Sequence, residues 1–435
     1  MTPARFLRTN TTDSWLDRPC STSVSVAAWV AATALFIGVT QWWGGPTAAD
    51  ANVVVYLQWA LAHGHLACGY PPVGVVGYAP AAPVYPLLGG AVAFVLRVGH
   101  SVAFPSAVVL GTRCHNASLS ITSWALRSRA WTTTLRIGYA SWLVLLAGCI
   151  SLLRSFDLGR SRREVLMVVA LALTPSVGMC LWQYFHPQDV VALGLVLAAL
   201  GSCRRGRWTL AGALFALALM SQQFALLVFA PWCLVAPRGD RVRFFAGAVA
   251  CGGLVALPLA LATSGRSLTS TFLGTGYDSW TASLLVQTGL RGSGLFTVAR
   301  VAPLVVSLCL AWWLSNRLGD KLFEPVPLLA FLALAMCGRL VLEINLWGYY
   351  FMAVSVALVL LDVVRARLRT SLLAWLAVVT YAVFHGLSNG STSHVPVYAW
   401  QVVLVGGAIV LSLSPLVTYL REESQLATEW PTSVS

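Results

Sequence analysis

Apolar residues fall in long, little-interrupted runs near 24–44, 84–104, 137–153, 164–185, 189–203, 208–236, 244–263, 297–315, 323–342, 347–362, 370–388 and 397–418. A spanning helix needs about 20 apolar residues, so the pattern predicts an all-α, polytopic transmembrane helical bundle. The run 208–236 is long enough for two short spans, broken near Ser221-Gln222-Gln223. The run 84–104 is interrupted by Gly89-Gly90, Arg97 and His100 and flanked by prolines. It reads as an interfacial or re-entrant helix rather than a span.

Compact arginine clusters separate the runs: Arg154/Arg160/Arg162/Arg163, Arg204/Arg205/Arg207, Arg238/Arg241/Arg243, Arg317/Lys321, Arg365/Arg367/Arg369 and Arg421. The positive-inside rule assigns each to the cytoplasm. The clusters agree with one another if 208–236 is a hairpin and 84–104 does not span. This arrangement has about 12 spans, a cytoplasmic tail over 1–22, a single transmembrane domain over 23–420, and a cytoplasmic tail over 421–435. The first outer loop then covers about 45–136 and contains juxtamembrane helices. The polar N-terminal stretch before the first run suggests a retained anchor rather than a cleaved signal.

Composition narrows the class. Of 435 residues, 58% are hydrophobic and only 10% charged, against about 25% charged in soluble domains. The mean hydropathy is +0.76. These values exclude a soluble enzyme, a DNA-binding domain and a disordered chain. The net charge of +13 marks loop topology rather than a nucleic-acid partner. Most of the ten cysteines lie in apolar runs and read as small hydrophobes. Cys68 and Cys114 both fall in the outer loop, where an oxidising compartment would permit a bridge.

With the topology set, the acidic residues become informative. Only Asp50, Asp189, Asp278 and Glu343 fall on the outer side, each at or just beyond the end of a span. A carboxylate there is costly unless paired or wet, so this distribution points to a site on the outer face. Each motif also has a structural reading. Asp50 could cap the helix that follows it, and Pro187 and Asp189 are ordinary helix-start residues after His186. Gln222 and Gln223 could form a polar turn, Arg339 and Glu343 an i,i+4 pair, and Tyr349-Tyr350 an interfacial belt. His63, His65, His100 and His115 match no zinc spacing, and no metal or cofactor site is expected. No phosphate-binding loop, dinucleotide fingerprint or serine-nucleophile elbow is present.

Several motifs, in order, resemble the GT-C superfamily, above all glycosyltransferase family 87 and related actinobacterial membrane proteins. They begin with Asp50, Tyr56 and a Tyr/Pro-rich loop (Tyr70-Pro71-Pro72, Tyr78-Ala79-Pro80, Tyr85-Pro86). The block Phe185-His186-Pro187-Gln188-Asp189 follows, then Arg204-Arg205-Gly206-Arg207-Trp208 and Ser221-Gln222-Gln223-Phe224-Ala225. Arg339-Leu340-Val341-Leu342-Glu343-Ile344-Asn345 and Gly348-Tyr349-Tyr350 complete the likeness, which covers most of 40–370. The chain departs from the family at Tyr85-Pro86-Leu87, where Tyr-Pro-Pro is frequent, and at Gln222-Gln223, where a lysine is common.

The resemblance implies an inverting cell-envelope glycosyltransferase of the plasma membrane with an extracytoplasmic active face. Its donor would be a polyprenyl-phosphate sugar, with mannose the first choice, and its acceptor a lipid or glycan. Asp50 would be the general base. Tyr56, His186, Gln188, Asp189, Gln222, Gln223, Arg339, Glu343, Tyr349 and Tyr350 would contact substrate. The competing readings are a transporter or lipid flippase, and a scaffold of the same fold with a degenerate site.

Overall fold

A computed structural model describes Leu16 and residues 18–42, 130–158, 161–183, 186–262, 292–343, 348–366 and 395–429. Asp50, Tyr56, Asp278, Cys68, Cys114, the four outer-loop histidines and the runs 84–104 and 370–388 lie outside the described residues. Within them the chain is almost entirely helical and forms no strand. The helices are α1 (Thr22–Trp42), α2 (Ala130–Ser155), α3 (Arg162–Ala172), α4 (Pro175–Gly178), α5 (Pro187–Arg204), α6 (Trp208–Ser221), α7 (Leu226–Val235), α8 (Arg238–Ala262), α9 (Gly292–Leu318), α10 (Pro325–Leu342), α11 (Met352–Val364) and α12 (Val395–Glu429). Five helices are long and apolar enough to cross a membrane, and α3 with α4 and its continuation would make a sixth as one bent span. This is the composition of a membrane protein. The exposed residues Val242, Val249, Leu254 and Leu261 of α8 put an apolar face outward, as lipid requires.

The run 164–185 is not the uninterrupted helix that its hydropathy suggests. It breaks at Leu173-Thr174 and bends by 56°. Pro175 lacks the N–H that would have bonded one turn back, and the Thr174 hydroxyl donates to Ala170 O at 2.8 Å. Beyond α4 the chain widens into a π-turn, Met179–Gln183. Hydropathy registers the apolar side chains and is blind to the backbone donor missing at proline. The C-terminal helix likewise continues to Glu429, past the end of its apolar run. The helix α2 begins at Ala130, seven residues before the apolar run that predicts it.

Glycines allow two parallel helix pairs to approach closely. A Cβ on Gly148 of α2 would lie 2.1 Å from Gly194 O of α5, and one on Gly194 would lie 2.6 Å from Val144 O. Gly212 of α6 and Gly247 of α8 make the same arrangement, with clearances of 1.9 and 2.0 Å to Phe244 O and Thr209 O. Such approaches supply dispersion energy that lipid cannot otherwise provide between apolar helices.

The limbs α6 and α7 reverse at Gln222, as the hairpin reading requires. Phe215 and Phe229 meet across them at 6.0 Å, while Trp208 and Trp232 both pack edge-on against Phe323. The limbs are 14 and 10 residues long, shorter than a full span.

The basic clusters meet at one end of the bundle and cap helices there. Arg163 donates to Val363 O and Val364 O at the end of α11, and Arg204 to Ser155 O at the end of α2 and to Phe323 O. Arg241 donates to Ala236 O just past α7. Carbonyls at a helix end lack the donor that one further turn would supply, Val363 O here also accepting from Ala366 N at 3.2 Å, and a cation there opposes the helix dipole. Glu164, fully buried, accepts from Ser25 of α1 and Arg154 of α2, joining three helices.

Candidate active site

The opposite ends of α5, α6 and α10, with the start of α11, gather the polar motifs. The π-turn delivers the chain to His186. Its N–H donates to Cys180 O at 2.6 Å, and the Cys180 thiol donates back to His186 O at 3.3 Å. Pro187 then opens α5, with Asp189 in the first turn, where the exposed N–H groups favour a carboxylate. His186 is thereby held at a helix entrance instead of turning freely.

The His186 ring stacks on Tyr349, with centroids 4.4 Å apart and planes at 16°. Gln188 Nε2 reaches His186 Nδ1 at 3.1 Å. Gln188 Oε1 is buried and has no hydrogen-bond partner among the described residues, leaving an acceptor beside the imidazole. A buried acceptor of this kind costs about 1–3 kcal/mol unless a ligand or water supplies the donor.

Asp189 is 2% exposed. Its carboxylate accepts from the side-chain amide of Gln222. The other end of that amide, Oε1, accepts from Gln223 N at 3.0 Å and caps the short turn Gln223–Ala225. Gln222 thus both builds the hairpin turn and holds Asp189. Gln223 contributes its backbone to this arrangement.

The third part is a guanidinium. Arg339 Nε donates to Glu343 Oε2 at 3.2 Å. Its Cζ lies 5.1 Å from the Phe224 ring centroid and 4.8 Å from that of Tyr350. Aromatic faces attract the cation and hold its plane. Tyr350 in turn lies 4.4 Å from Tyr349, ring to ring. Asp189 and Glu343 both act electrostatically on Arg339. An unbroken series therefore runs from Gln188 through His186, Tyr349, Tyr350 and Arg339 to Glu343, with Asp189 and Gln222 alongside. Nine of the expected site residues come together here, drawn from four stretches of chain. The two remaining, Asp50 and Tyr56, lie outside the described residues.

Sequence reasoning missed three participants. Phe224 underlies Arg339, and Cys180 clamps His186. Arg300, on α9, feels the charge of Glu343. An arginine near the start of an apolar run, with no role in the basic clusters, was the available signal for Arg300. Phe224 and Cys180 are indistinguishable in sequence from the surrounding apolar residues.

Chemically the arrangement offers a guanidinium, Arg339, for a phosphate, amide and carboxylate groups for hydroxyls, and stacked aromatic rings for a sugar face. Among the described residues no group of three His, Cys, Asp or Glu side chains could hold a metal ion. No protein-family model matches the chain, and comparison with curated proteins finds no relative.

Proposed function

We propose that this chain is an inverting membrane glycosyltransferase of the GT-C kind. It would have about twelve spans in the plasma membrane and an extracytoplasmic active face. It would transfer a sugar, mannose in the first instance, from a polyprenyl-phosphate donor to a lipid or glycan acceptor. The observation that carries this reading is the continuous cluster of His186, Tyr349, Tyr350, Arg339 and Glu343, with Asp189 and Gln222 beside it. A donor whose tail lies in the bilayer presents its phosphate and sugar at the end of a span, where this cluster lies.

In the proposed reaction Asp50 takes the proton of the acceptor hydroxyl. The acceptor oxygen bonds to the anomeric carbon as the bond from that carbon to the phosphate oxygen breaks. Polyprenyl phosphate leaves, its added negative charge met by Arg339 and Arg300. His186 and Tyr349 position the sugar, and the free Gln188 Oε1 accepts from one of its hydroxyls. The test is transfer of label from a polyprenyl-phosphate sugar to membrane acceptors. Asp50→Asn should abolish transfer at unchanged protein level, and retained transfer rejects the assignment.

One observation favours a transporter or flippase instead: the 56° break and π-turn that lead into His186, since broken helices carry substrate sites in transporters. Movement of a labelled lipid-linked sugar across vesicles, without transfer to an acceptor, would select that reading.

A further inference from the structure

At the arginine-bearing end, far along α10 from the candidate active site, lies a second feature that the catalytic reading does not use. A cavity of about 340 Å³ between α9 and α12 is lined by Arg317, Val417, Leu420, Arg421, Ser424 and Gln425. The α12 residues stand at positions i, i+3, i+4, i+7 and i+8, so they form one helix face. Arg317 and Arg421 are exposed, and neither makes an ion pair or a side-chain hydrogen bond among the described residues. Neighbouring charges are committed elsewhere: Lys321 pairs with Glu423, and the Tyr419 hydroxyl donates to Glu324 at 2.7 Å. Asp320 and Glu422 do not line the cavity.

An apolar track leads away from the two arginines. On α12 it runs through Val417, Leu413 and Val410, exposed by 41%, 39% and 63%. On α9, Trp313 lies one turn from Arg317 and is 45% exposed, a residue suited to the headgroup level. From Arg421 to Val410 the helix rises about 16 Å, close to the roughly 15 Å of hydrocarbon in one leaflet. A free phosphate would use the cations and leave this track idle.

We infer that Arg317 and Arg421 bind the phosphate of an anionic glycerophospholipid, whose acyl chain lies along Val417, Leu413 and Val410. The inference rests on the membrane reading and is independent of the glycosyltransferase one.

The test is native mass spectrometry of the full-length protein in detergent with an equimolar mixture of phosphatidylglycerol and phosphatidylcholine. The wild type should retain phosphatidylglycerol in preference, and added inorganic phosphate should not displace it. Each juxtamembrane cation contributes about fivefold, so R317A/R421A should cut the preference roughly thirtyfold. R317K/R421K should keep most of it. Ser424→Glu, which leaves both arginines in place and puts a carboxylate into the groove, should also suppress it. Equal retention of the two lipids by the wild type overturns the inference, as does displacement by inorganic phosphate. An unchanged preference in both R317A/R421A and Ser424→Glu overturns it too. Transfer activity, if present, is a separate readout whose loss or survival does not bear on the lipid preference.

Discussion

The imidazole of His186 lies flat on the ring of Tyr349, with centroids 4.4 Å apart. This stack ties the entrance of α5 to the start of α11. Tyr349→Phe keeps the stack and loses only the hydroxyl's hydrogen bond to Tyr350, so it should lower thermal stability in detergent by no more than about 0.5–1.5 kcal/mol. Tyr349→Ala removes it at a cost of about 0.5–1.5 kcal/mol beyond lost burial, and should lower both the melting temperature and sugar transfer. If Tyr349→Ala melted like Tyr349→Phe, the ring contact would have no structural weight.

The buried carboxylate of Asp189 depends on the Gln222 amide. Gln222→Ala leaves it without that donor, a loss of about 1–3 kcal/mol, and Gln222→Glu adds like charge and should be worse. A double-mutant cycle between Gln222→Ala and Asp189→Asn should show coupling of about 1–2 kcal/mol. Additive melting shifts would show that the two side chains act separately.

Arg339 is held by Glu343 and by two aromatic faces, a geometry that a lysine ammonium cannot reproduce. Under the proposed chemistry, Arg339→Lys should lower kcat about tenfold and Arg339→Ala about a hundredfold or more. Arg300→Ala should have a smaller effect in the same direction. Transfer assays on protein matched for amount read this out, and an active Arg339→Ala would remove the guanidinium from the mechanism.

Glycine-mediated approach gives a stability test free of any functional assumption. Gly148→Ala drives a methyl to 2.1 Å from the Gly194 carbonyl oxygen, so α2 and α5 must separate. The melting temperature should fall by several degrees. Gly253→Ala meets no atom within 4 Å and, with alanine the better helix former, should be neutral or slightly stabilising.

Sidedness can be tested at Gly239, which also has open space around it and stands among Arg238, Arg241 and Arg243. In a background whose ten native cysteines are replaced by serine or alanine, Gly239→Cys should react with a membrane-impermeant maleimide only after the cells are permeabilised. Labelling of intact cells would invert the topology.

Much of the architecture was legible before any coordinates. Each residue partitions between lipid and water largely on its own account, so a linear scan locates the apolar helices around Pro325–Leu342 and Gln401–Gln425. The same holds for the basic clusters, which mark one end of the bundle. Local chemistry also placed Pro187 and Asp189 at a helix start and the reversal at Gln222. The 56° break at Pro175 was missed because hydropathy counts side chains and not backbone donors.

Hydropathy and charge, acting residue by residue, were enough to establish a helical membrane protein with its basic clusters at one end. Tertiary structure alone decided which polar side chains meet: His186 with Tyr349, Asp189 with Gln222, and Arg339 with Phe224, Tyr350 and Glu343. It also added Arg300 to the charge of Glu343. The physical reason is that such meetings depend on which helices touch and at what height. That is set by close packing, including the glycine contacts of α2 with α5, and by helix-end bonds such as Arg204 to Ser155 O. Neither depends on the properties of any one stretch of chain.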